Sequence, residues 1–146
     1  MFKRIMAPVD LAHVEKLRAA LECAADLAKH YSAPVVYVGV TSSQPSQLAH
    51  NPEEFAQKLG IFAAAEAARY GIETVAYATI AHDPTIEVDD ALMRAINETG
   101  ADLVVMASHV PNVIDHIWPS NGGKLAAYAK CSVMVVRIRP HKTTHE

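Results

Sequence analysis

Asp10 is the first residue of this chain whose type and place suggest chemistry. It closes a short apolar run over residues 4–9. A carboxylate at a strand end can accept hydrogen bonds from a ribose hydroxyl or a purine amino group. The same residue type also caps helices or sits solvated in turns, and position alone leaves both roles open. A second polar group follows a later apolar run: Ser108-His109-Val110-Pro111, then Ser120-Asn121-Gly122-Gly123. Ser120 or Asn121 is suited to cap a helix starting at Gly122. The N–H groups and partial positive charge of such a helix start would seat an anion, with Lys124 adding charge one turn in. The alternative is an ordinary cap beside a solvated lysine.

Other arrangements are excluded by spacing. There is no Gly-x-Ser-x-Gly nucleophile elbow. Ser108 beside His109 is not a triad, because neighbouring side chains at a strand end diverge. Neither Gly-x-Gly-x-x-Gly nor a Walker loop occurs, which disfavours a dinucleotide dehydrogenase or a P-loop NTPase. Of the 8 histidines, His141 and His145 lie in the last few residues, while His109 and His116 share a loop with Asp115. A metal site needs three or four converging ligands, and none of these spacings promises them. Cys23 lies in an alanine-rich helical stretch and Cys131 opens a late apolar run. Neither belongs to a metal-ligand pair, so both read as small buried thiols of a reducing cytoplasm.

The elements that position these residues follow from composition and period. With 146 residues, 51% hydrophobic and 20% charged, the chain can close one core. A formal charge of −3 offers no basic surplus for nucleic acid. No apolar run approaches the ~20 residues that span a bilayer, and the start reads as carrying no secretory signal. A cytoplasmic protein without nucleic-acid or membrane partners is therefore expected. Buried strands are predicted over 4–9, 35–40, 103–107 and 132–137, with a further strand over 73–80. Apolar residues at three- and four-residue steps predict helices over 14–30, 53–70, 84–99 and 122–129, with Gly71 and Gly100 as stops. Residues 41–52 and 108–119 read as loops, and 141–146 as a flexible tail beyond a domain of 1–140.

The order βαβαβαβαβ implies right-handed crossovers, hence an α/β fold with a five-stranded parallel sheet and helices on both faces. Ligands in such sheets bind beyond the carboxyl ends of the strands, where strand order reverses. The positions to watch are Pro8-Val9-Asp10, Val40-Thr41, residues 80–83, and Ala107-Ser108-His109. Pro8 stiffens the first strand's exit and lacks an N–H, as suits the end of a strand.

Three segments resemble the universal stress proteins: Ala7-Pro8-Val9-Asp10, Val104-Val105-Met106-Ala107-Ser108-His109, and Cys131-Ser132-Val133-Met134-Val135-Val136-Arg137. The likeness spans nearly the whole chain, the 41–52 loop being least constrained. It implies a Rossmann-like, adenine nucleotide α-hydrolase-like sheet and a homodimer paired through the last strand, Ser132 to Arg137. Many members bind ATP through Gly-x-x-Gly, nine residues, then Gly-Ser/Thr. Here those glycines fall on Ala107, Val110 and Ser120, and all are absent. A branch with Ser-His-x-Pro and then Gly-Ser-Asn fits better, through Ser108 to Pro111 and Pro119-Ser120-Asn121.

Even in that branch Pro119 replaces a glycine and has no N–H to give a phosphate. Val110 is β-branched and unsuited to positive φ. The resemblance thus implies a nucleotide site of Pro8, Val9, Asp10, Val40, Ala107, His109, Ser120 and Asn121. It would hold AMP or ATP with a weakened phosphate seat and no metal beyond any Mg²⁺ accompanying ATP. Ile117 and Trp118 would either plug that seat or anchor its loop. The implied role is regulatory, with an unidentified protein partner. The alternative is a dimeric interaction module of the stress response that binds no nucleotide. Catalysis would amount at most to slow ATP hydrolysis with His109 or Asp10 as base.

Overall fold

A computed structural model describes residues 1–43, 45, 49–81, 84–108 and 122–137. Five strands, β1 (Ile5–Pro8), β2 (Val35–Thr41), β3 (Thr74–Ile80), β4 (Leu103–Ala107) and β5 (Ser132–Val136), form one parallel sheet in the order β3-β2-β1-β4-β5. Between them run α1 (Arg18–Tyr31), α2 (Pro52–Tyr70), α3 (Pro84–Thr99) and α4 (Gly122–Tyr128). The chain steps outward from β1 through β2 to β3, then crosses back to β4 and β5. Right-handed crossovers place α1 and α2 on one face and α3 and α4 on the other. The doubly covered α/β sheet read from the sequence is the observed one.

The three central strands are buried from end to end except for Thr41, at the tip of β2. The edge strands β3 and β5 have no buried residue, each being half-buried or exposed along its whole length. Residue alternation along β2 sends Tyr37 and Gly39 toward α2, where Tyr37 meets Phe62 edge-on at 5.1 Å between ring centroids. Gly39 leaves room for α2, since a Cβ there would lie 2.8 Å from the Phe55 ring. Helix α2 starts as its residues dictate. Asn51 accepts the Glu54 N–H at 2.8 Å, and Pro52 occupies the first turn, where its missing N–H is no loss. It ends where Gly71 takes φ +66° and donates to the Ala67 carbonyl. Arg18 of α1 reaches across to Glu66 and Tyr70 and ties the two helices together.

Two expectations are corrected. Regular α-helix begins at Arg18 instead of residue 14, and Leu11–Leu17 form a 3₁₀ segment that breaks at His13 (φ −135°, ψ 38°). Only Leu17 is buried in that segment, so no apolar stripe enforces a 3.6-residue period. The cysteines are half-buried, not enclosed. Cys23 on α1 lies above the edge strand, its thiol 3.6 Å from the Met134 sulfur. Partial burial, with Asp26 near one and Asp102 near the other, pushes both thiols up from their ordinary value. Among the described residues no helix is long and apolar enough to cross a membrane. The predicted tail, 141–146, lies outside the described residues.

Candidate functional site

The sheet reverses its strand order between β1 and β4, so the carboxyl ends of β1, β2 and β4 frame the place where such folds take ligands. Register brings the predicted residues to that end. Met6 pairs with Val104, so Val9 comes level with Ala107 as the strands run on. Pro8 pairs with Val38, so Asp10 comes level with Val40. Pro8, Val9, Val40 and Ala107 are all buried. They supply an apolar floor, and the Val9 N–H is spent on the Val38 carbonyl at 2.8 Å. Ser108 follows β4 half-buried and donates its N–H to the Val136 carbonyl. His109, Ser120 and Asn121 lie outside the described residues, as do Val110, Pro111, Ile117, Trp118 and Pro119, and His82 and Asp83 of the third strand end.

Of the two roles left open above, the structure shows Asp10 in that of a helix cap. Its backbone is extended (φ −100°, ψ 104°), and Oδ1 accepts the Ala12 N–H at 3.0 Å, which makes it the N-cap of the 3₁₀ segment. Its Oδ2 lies 3.0 Å from Nδ1 of His13. The carboxylate is 9% exposed and the imidazole 25%. His13 was not singled out from the sequence. The signal that could find it is a histidine three residues after an aspartate suited to cap a helix, close enough in sequence to reach that carboxylate.

This chemistry favours some groups over others. A carboxylate only accepts, so Asp10 matches hydroxyl or amino donors and repels phosphate. A nucleoside's sugar or base suits that position, and its phosphates must lie elsewhere. Among the described residues no group of three or more His, Cys, Asp or Glu side chains converges as a metal site. An open depression of about 330 Å³, lined among others by Lys29, Ser32, Gly71 and Glu73, lies at the amino ends of β2 and β3, away from this site.

The universal stress protein family model matches residues 1–137, and the chain belongs to that family. Solved structures share the fold. A universal stress protein in complex with cAMP is 16% identical, with a TM-score of 0.67, over 94% of this chain and 99% of that one. The Archaeoglobus fulgidus protein in complex with dAMP is 18% identical, with a TM-score of 0.62, over 91% and 96%. A family member from Burkholderia pseudomallei is 22% identical, with a TM-score of 0.64, over 92% and 95%.

Proposed function

We propose that this chain is a cytoplasmic regulatory protein that binds an adenine nucleotide at the carboxyl ends of β1, β2 and β4 and grips its phosphates weakly. The observation that carries the reading is the placement of the Asp10 carboxylate, fixed by two hydrogen bonds, beside the apolar ends of the strands at the order reversal. These groups fit a nucleoside, with apolar side chains for a base and an acceptor for hydroxyls. The adenine nucleotides named for two solved relatives support the ligand class. Pro8, Val9, Asp10 and Val40 would hold base and ribose, with Ala107 at the place of the family's first phosphate-loop glycine. His109, Ser120 and Asn121 would face the phosphates. Pro119 has no N–H to give and Val110 resists positive φ, so the polyphosphate tail gains little. AMP and ATP should then bind alike, with any Mg²⁺ arriving on ATP. Protein purified without added nucleotide should carry an absorbance excess at 260 nm that is lost on denaturation and filtration. Its absence, together with no binding of added AMP, would refute the reading.

A second reading has its own observation. β5 is an edge strand with Met134 39% and Val135 41% exposed, and Ser132–Val136 carries no charge. An uncharged apolar edge calls for a cover. We infer a homodimer paired through Ser132 to Arg137. If no nucleotide binds, that surface and an unidentified regulatory partner become the function.

A further inference from the structure

The two hydrogen bonds on Asp10 are not equivalent. The bond from Ala12 N–H to Oδ1 belongs to the cap and would form in any short helix with an aspartate at that position. Alone it leaves the carboxylate loosely held, because the terminal torsion of aspartate is broad and shallow. The bond at Oδ2 comes from a side chain, and it exists because the chain leaves helical geometry at His13 (φ −135°, ψ 38°). Since a carboxylate only accepts, the imidazole holds its proton on Nδ1 in this pair. With both oxygens held, the plane of the carboxylate is set.

Each carboxylate oxygen has two lone-pair directions. One is used on each, which leaves capacity for one further donor on each. Two adjacent hydroxyls are the donor group that satisfies both oxygens together. We propose that His13 is a positioning residue: by donating from Nδ1 to Oδ2 it fixes the plane of the Asp10 carboxylate to receive the 2′- and 3′-hydroxyls of a ribose, and so selects ribonucleotides over 2′-deoxyribonucleotides. The proposal rests on the nucleotide reading above. No charge on the phosphates enters it, since AMP and dAMP differ by one hydroxyl alone.

The test is calorimetric titration of AMP and of 2′-deoxy-AMP into the wild-type chain, His13→Ala and His13→Asn. A lost hydrogen bond to a charged acceptor lowers affinity by about tenfold or more. The wild type should therefore favour AMP by about tenfold. His13→Ala should bring the two ligands to within about twofold. His13→Asn, whose amide nitrogen takes the place of Nδ1, should restore most of the preference. Because the ratio compares two ligands on one protein, a general loss of stability does not move it. A ratio unchanged in His13→Ala, or equal binding in the wild type, overturns the role of His13 and leaves the nucleotide reading standing. Failure of the wild type to bind either ligand overturns both.

Discussion

Arg18, the first residue of α1, donates from Nη1 to Oε1 of Glu66 on α2, a carboxylate only 3% exposed, and the same nitrogen lies 3.2 Å from the Tyr70 hydroxyl. Removing the cation strands a buried charge. For a fully buried pair that costs about 3–5 kcal/mol. Arg18 is 25% exposed, so Arg18→Met should cost less, about 2 kcal/mol. The double variant Arg18→Met/Glu66→Leu should recover most of the loss, because no charge then stays buried. Urea denaturation of the three chains decides it, and a single variant as stable as wild type would contradict the account.

Tyr37 sits below this pair, fully buried, and its hydroxyl has no hydrogen-bond partner. Tyr37→Phe removes a desolvated polar group while keeping the ring packed on Phe62. It should stabilise by about 1 kcal/mol, raising the melting temperature by about 2–4 °C. Burial first, and the nearby charge of Glu66 second, push the Tyr37 phenol well above its ordinary value near 10. Its folded pKa is thus raised. The folded state holds its proton where the unfolded state releases it, so stability falls as pH rises above about 10. Tyr37→Phe should flatten that fall. A lower melting temperature, or an unchanged alkaline slope, would count against it.

Gly39 is needed for space. Alanine there would drive its Cβ to 2.8 Å from Phe55 Cζ and 3.2 Å from Leu59 Cδ2. Overpacking of this kind costs about 1–3 kcal/mol. Adding Phe55→Leu should return part of it, since the smaller side chain vacates the contact. Thermal melts of the single and double variants check this, and a Gly39→Ala chain as stable as wild type would refute it.

The edge at β5 gives a prediction about assembly. Lysine on an edge strand opposes pairing with another strand. Val135 is 41% exposed, so Val135→Lys should change the stability of the isolated chain by no more than about 0.5 kcal/mol. Sedimentation velocity should show a dimer for the wild type and a monomer for the variant. A variant that still dimerises would move the interface elsewhere.

The sheet and the helices α2 and α3 were legible in the sequence, because burial on one stripe writes a 3.6-residue period and Gly71 and Gly100 mark the ends. Asp10 was legible as a residue of interest, but its partner was not. His13 lies in a segment that buries only Leu17, where neither period operates, and a single off-helical residue turns the imidazole onto Asp10. Pattern reading also passed over Glu66, since a glutamate on a long amphipathic helix is expected to face water, yet Arg18 lets it lie buried. The partial exposure of the cysteines is hidden from the sequence for the converse reason: their apolar neighbours do not reveal that Cys23 lies against Met134 of an edge strand and that Cys131 immediately precedes that strand. The residues proposed to face the phosphates, His109, Ser120 and Asn121, lie outside the described residues.

The central claim is a cleft that accepts the adenosine moiety beside Asp10 and gains little from added phosphates. Isothermal titration of AMP and of Mg·ATP into the same preparation tests it most directly. The account predicts dissociation constants within about threefold of each other, under ~1 kcal/mol apart. ATP bound tighter than AMP by about tenfold or more, about 1.4 kcal/mol, would show an intact phosphate seat and contradict it.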